Sequence, residues 1–287
     1  MTQQTPTLPN LIIIGAMKAG TSSLHYYLSK HPQIFMSEKK ELNFFNHDMR
    51  RGLEWYKSNF DARYPVNGES TPQYARFPKM PGIPERIKEV VGTPKIIYMV
   101  RDPVDRIVSH YVHSISREWE DRPFEEVLSN IDVGSNDYVL LSSYFFQLSQ
   151  YLRMFPRERI KVVLLERLSR APRDTLKEVF RFLEVDEDFW SPEFDRRLNA
   201  GEARHAQAPW FSQWAPEFIK GQAHAATWMP WKMARALRKL SRVGAKPLSR
   251  PKIPADADLN LQKLLKPDVE ALKEYLGNSL GEWRPYA

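Results

Sequence analysis

The chain reads as an α/β protein, a three-layer arrangement with a central parallel β-sheet flanked by helices. Three apolar runs predict strands, at residues 11–14, Lys95–Val100 and 159–165, and each is followed by a segment of helical character. Repeated strand-then-helix units are most simply joined as parallel crossovers. At 287 residues and 42% hydrophobic content, the chain is long enough for one large α/β domain and apolar enough to build its core. We expect one domain over 1–287 with a basic insert at about 207–254.

The first strand, Leu11-Ile12-Ile13-Ile14, is mostly β-branched. The residues after it, Gly15-Ala16-Met17-Lys18-Ala19-Gly20, are mostly small enough to turn sharply into a helix starting near Thr21 or Ser22. Small residues let backbone N–H groups approach an anion, and the following helix presents its positive end, so the ligand should carry a phosphate. In the nucleotide-kinase loop a lysine directly follows the second glycine and reaches the β/γ-phosphates. Here Thr21 holds that position and Lys18 lies inside the loop. Taken alone, the segment also fits an ordinary strand–turn–helix or a degenerate ATP or GTP loop.

Further along, His31-Pro32-Gln33-Ile34-Phe35-Met36 reads as a turn and a short strand. In the charged stretch 37–46, Phe44 and Phe45 could simply pin a loop to the core. Residues 84–91 suit a helix with Pro84 in its first turn. The strand Lys95–Val100 runs into Arg101-Asp102-Pro103, which puts Arg101 at a strand's C-terminal end, where open α/β sheets bind ligands. Ser109 lies two helical turns on, and Arg106 is expected to pair with Asp102 or Asp105. His110 and His113 are acid/base suspects by residue type. A broad apolar face at helical spacing covers 138–155, another helix is expected at Pro172–Leu183, and a last one at 264–277 ends on Gly277.

Taken together, these motifs resemble the sulfotransferases that use 3′-phosphoadenosine 5′-phosphosulfate (PAPS). Gly15-Ala16-Met17-Lys18-Ala19-Gly20-Thr21-Ser22-Ser23-Leu24 is similar to their 5′-phosphosulfate loop, and Lys40-Glu41-x-x-Phe44-Phe45 to a segment of the heparan sulfate O- and N-sulfotransferase branch and its bacterial relatives. The resemblance implies a P-loop-type fold. It makes Lys18 and Glu41 catalytic, Glu41 as the base, with Glu38 its nearest competitor. It assigns the donor nucleotide to Gly15, Ala16, Met17, Lys18, Ala19, Gly20, Thr21 and Ser22, with Arg101 and Ser109 on the 3′-phosphate and Arg204 on a loop folding over it. Lys40, Phe44, Tyr74, His110 and Tyr144 become acceptor-side candidates. In the cytosolic small-molecule enzymes the base is a histidine, but neither His110 nor His113 sits in that matching motif. Ser70 departs from the family, which often has lysine there.

The resemblance implies PAPS as sulfonate donor, PAP as product and no metal. The acceptor would be a hydroxyl, or an amine, of a carbohydrate, a lipid-linked molecule or a small metabolite. Cysteine is absent, which excludes disulfides and thiolate chemistry and fits a reducing compartment. Residues 1–10 carry neither a basic n-region nor an apolar h-region, and no run is long enough to cross a bilayer, so a bacterial cytoplasmic protein is expected. The net charge of +7 points to anionic partners in general. Eight basic residues and no acidic one lie between Trp228 and Pro254, a basic amphipathic run. It suits a lid, a polysaccharide edge, a solvated helix, or peripheral contact with an anionic membrane through 228–252 at the inner face. Nucleic acid is not expected as a partner. An atypical P-loop kinase or NTPase and a non-catalytic anionic-surface binding protein remain the alternatives.

Overall fold

The computed structural model describes residues 5–117, 119–129, 136–195, 248–277 and 280–286. A five-stranded parallel sheet contains β1 (Leu11–Gly15), β2 (Ile34–Met36), β3 (Val66–Ser70), β4 (Lys95–Val100) and β5 (Ile160–Leu164), in the order β2-β3-β1-β4-β5. Every residue of β1 is buried, as a strand with helices on both sheet faces requires. The chain leaves β1 for the far edge at β2, returns through β3, and then crosses β1 to reach β4. That reversal lies beside the C-terminal end of β1, the place where such sheets bind ligands. The P-loop-type α/β architecture expected from the sequence is therefore present.

The described helices are α1 (Thr21–Leu28), α2 (Leu53–Lys57), α3 (Ile83–Val91), α4 (Pro103–Ile115), α5 (Phe124–Ser129), α6 (Asp137–Leu140), α7 (Tyr144–Leu152), α8 (Leu165–Arg170), α9 (Pro172–Leu183) and α10 (Ala255–Tyr275). Two differ from expectation. The stripe at 138–155 is not one helix: Ser142 Oγ donates to Tyr138 O at 2.8 Å and Ser143 Oγ to Val139 O at 3.2 Å, offering the backbone a turn between α6 and α7. The last helix starts at Ala255, well before 264, and runs through Pro267.

Helix α10 packs on α7 and α4, and its Asp268 carboxylate accepts the backbone N–H groups of Phe145 at 2.9 Å and Phe146 at 2.7 Å. It thus caps the first turn of α7 from outside that helix. Burial raises Asp268 to about 6, against the opposing pull of these amides. No described helix is long and apolar enough to cross a membrane. Arg204 and the basic run up to residue 247 lie outside the described residues.

Candidate functional site

The site begins where β1 ends. Gly20 adopts φ +90°, which favours glycine, and a Cβ there would sit 2.5 Å from Leu165 Cδ1, so that side chain would have to shift. Lys18 is also left-handed, at φ +73°. Ala16 N–H is tied to Met99 O at 2.6 Å and Ala19 N–H to Ala16 O at 3.1 Å, which ties the loop to β4 and to itself. The first amides of α1, at Thr21 and Ser22, have no intrahelical acceptor by the geometry of a helix start. These N–H groups and the helix dipole make an anion cradle. Ala16, Ala19 and Thr21 are buried, whereas Met17, Lys18 and Gly20 are partly exposed and Ser22 is exposed.

At the end of β4, Arg101 donates from Nη2 to Asp105 Oδ2 at 3.2 Å, while its buried Nε has no hydrogen-bond partner among the described residues. Ser109 lies one turn beyond Asp105 on the same face of α4. Two further guanidinium groups reach this corner: Arg250 Nη2 is 2.8 Å and Arg284 Nη2 3.0 Å from Asp105 Oδ1, and Arg284 Nε is 2.8 Å from Asp102 Oδ2. Arg284 belongs to no local motif, and Arg250 stood out only as one of the eight basic residues between Trp228 and Pro254.

The expected Arg106 ion pair with Asp102 or Asp105 is not formed. Arg106 is fully buried and donates instead to Ser142 Oγ at 2.7 Å, Tyr138 O at 2.8 Å and Met17 O at 3.3 Å, with His110 Nδ1 also 3.3 Å away. Burial pushes its pKa down. Its carbonyl partners replace a carboxylate, and Arg101, Arg250 and Arg284 occupy the two aspartates.

The Lys40-Glu41 segment comes to the start of α1. Lys40 Nζ donates to Thr21 Oγ1 at 3.4 Å and pairs with Glu41 Oε1 at 3.1 Å. Glu41 adopts φ +62°, held by its own N–H on Ser70 O at 3.0 Å and by Asn43 Nδ2 on its carbonyl at 2.8 Å. Glu38 is exposed. Beneath this loop lies a carboxylate to which the sequence assigned no role. Glu69 is fully buried and accepts from Tyr56 OH at 2.5 Å and Thr71 Oγ1 at 2.8 Å, with Tyr74 OH 3.2 Å away. Thr71 Oγ1 and Tyr74 OH in turn accept the N–H groups of Asn43 and Phe45. Burial raises Glu69 to about 7 although the three hydroxyls favour its ionised form.

Phe44, Tyr74 and Tyr144 spend their side chains on packing. Phe44 stacks on Tyr56 with centroids 4.1 Å apart, Tyr74 faces Glu69, and Tyr144 packs on Tyr98 and Trp283 with its hydroxyl accepting Arg101 N–H at 3.4 Å. Ser70 is fully buried, and its hydroxyl has no hydrogen-bond partner among the described residues. A cavity of about 500 Å³ opens beside Met17, lined among others by Arg76, His110, Trp119, Asp137 and Tyr138. Among the described residues no group of His, Asp or Glu is arranged to hold a metal ion.

Comparison with known proteins agrees with this geometry. A family model described as a sulfotransferase domain matches residues 8–198. The crystal structure of a sulfotransferase from Alicyclobacillus acidocaldarius superposes with a TM-score of 0.67 at 25% identity, covering 97% of this chain and 100% of that one. Human heparan sulfate glucosamine 3-O-sulfotransferase 5 is 29% identical over 190 residues, 62% of this chain and 54% of its own length. The membrane-associated sulfotransferase kil1 of Dictyostelium discoideum is 42% identical over 113 residues, 38% of this chain and 23% of that protein. The chain thus spans about half or less of the length of these curated relatives. With the family model matching residues 8–198, the chain belongs to the sulfotransferase domain family.

Proposed function

We propose that the chain transfers the sulfonate group of PAPS to an acceptor hydroxyl, or amine, by in-line displacement. The observation that carries this reading is Lys40, which joins Thr21 of the phosphate loop to Glu41 and so brings a carboxylate to the anion cradle. Loop amides and the Ser22 hydroxyl hold the 5′-phosphosulfate. Arg101 and Ser109 hold the 3′-phosphate; the buried, unspent Nε of Arg101 and the planar fork of a guanidinium suit that group. Arg204 is a further nucleotide residue on this reading.

In the reaction the acceptor oxygen forms a bond to sulfur as the bond from sulfur to the bridging phosphate oxygen breaks. The electron pair leaves with PAP, and the acceptor proton passes to Glu41. Lys18 stabilises the charge that develops on the bridging oxygen. A positioned carboxylate is needed because a neutral hydroxyl is a poor nucleophile. The scheme routes no step through a metal.

The acceptor on this reading is a carbohydrate, glycolipid or small metabolite, and the cavity beside Met17 receives it. The protein acts as one domain with the basic 207–254 segment as an insert, in the cytoplasm, a setting that the cysteine-free composition fits. Contact of residues 228–252 with an anionic membrane belongs to the same proposal. The test is transfer of radiolabelled sulfonate from PAPS to a panel including a heparan sulfate oligosaccharide, by wild type and Lys18→Ala. Transfer that falls by at least about a hundredfold in the variant supports the scheme. Equal transfer by both removes Lys18 from it.

A further inference from the structure

We infer that His110 serves as a fixed, neutral hydrogen-bond donor to the acceptor in the cavity beside Met17, and not as its proton acceptor. The inference rests on the sulfonate-transfer reading above. A guanidinium carries only N–H donors and has no lone pair to offer. The ring nitrogen facing Arg106 Nη2, Nδ1 at 3.3 Å, must therefore accept. Its lone pair is occupied, and in the neutral ring the proton resides on Nε2.

Arg106 cannot readily turn away, because Ser142 Oγ, Tyr138 O and Met17 O hold the rest of its fork in a fully buried position. Protonating Nδ1 would set N–H against N–H and cation against cation. The other groups around the ring act in the same direction. Arg76 and Lys18 are cationic, His113 adds to the repulsion, and the Tyr138 ring packs 4.5 Å from the imidazole. Burial and these charges hold His110 well below the usual histidine range.

The nearby carboxylates are already taken. Asp137 is held by Lys79 at 2.6 Å and Arg76 at 3.8 Å, and Glu120 by Arg122 at 2.8 Å and the Tyr138 hydroxyl at 3.1 Å. Among the described residues none accepts from Nε2, and His110 lines the cavity that also touches the phosphate loop at Met17. A donor that cannot take a proton is suited to orient an acceptor oxygen while a carboxylate elsewhere removes its proton.

The test is long-range proton–nitrogen correlation on the full chain with isotope-labelled histidine, using His110→Asn to assign the signal. A protonated Nε2 and bare Nδ1, constant from about pH 5 to about pH 8, support the inference; a protonated Nδ1 or titration near the usual histidine value of about 6.5 overturns it. Kinetics with PAPS and a heparan sulfate oligosaccharide add a second arm. His110→Leu is expected to raise KM about tenfold, His110→Asn, which keeps an N–H donor, to recover most of that loss, and neither to change PAP affinity or the pH profile. A limb of the pH profile that disappears with His110 would overturn the donor role. Failure of the wild type to bind PAP would instead sink the sulfonate-transfer reading, while the spectrum still decides the tautomer.

Discussion

Glu41 and Glu69 lie on neighbouring segments linked by the hydrogen bond from Glu41 N–H to Ser70 O, yet their surroundings are opposite. The Glu41 side chain is 45% exposed and pairs with Lys40. Glu69 has no exposure and is collared by Tyr56, Thr71 and Tyr74. The exposed carboxylate can meet a substrate. The buried one cannot, but its hydroxyl partners grip the backbone at Asn43 and Phe45 on either side of Phe44. A non-glycine residue at φ +62° costs on the order of 1–3 kcal/mol and persists only where its surroundings enforce it. On the proposed scheme, the reactive carboxylate and the one that sets its geometry are therefore separate residues.

Breaking the exposed member should have the largest effect. Glu41→Gln is expected to lower kcat by about 10²–10⁴-fold, the usual worth of a general base, with PAP affinity unchanged by calorimetry. Comparable turnover by this variant would show that the proton goes elsewhere.

Glu69→Gln sharpens the contrast through pH. Burial lifts Glu69 in the folded state to about 7 from 4.5, so the native protein holds that proton more tightly than the unfolded chain. Stability from this group is present below about 4.5, falls as pH rises through about 7, and is flat above. Glutamine removes the slope. Between these pH values the stability of the variant relative to wild type should improve by roughly 3 kcal/mol in denaturant titrations. A difference independent of pH would mean that Glu69 stays ionised throughout. A smaller change is expected far from both carboxylates: Asp268→Ala, which strips the cap from α7, should cost about 1 kcal/mol in urea unfolding.

The elements legible in the sequence were those whose burial is apolar and local. β1, β4 and α9 declare themselves by runs or stripes, and the turn after β1 by its small residues between a strand and a helix. β3 was not legible, because its residues, Val66-Asn67-Gly68-Glu69-Ser70, are all buried yet show no apolar run. Its Gly68 is there because a Cβ would meet Met36 Sδ at 2.6 Å, a neighbour thirty-two residues away in the chain. Arg106 misled for a related reason: charge pairing can be guessed from spacing, whereas its carbonyl and hydroxyl partners come from two distant segments, the turn after β1 and the stretch 138–142. Arg250 and Arg284 converge on Asp105 only through the tertiary fold.

The central claim is that the loop after β1 and the arginine after β4 hold a 3′,5′-bisphosphorylated nucleotide. The most direct measurement is calorimetric titration with PAP in the absence of magnesium, for wild type and Arg101→Ala, with ATP and adenosine 5′-phosphate as controls. Selective binding of PAP that Arg101→Ala weakens by at least about tenfold is the expected result. If PAP fails to bind while ATP binds tightly with magnesium, the site is that of an NTPase and the account is wrong.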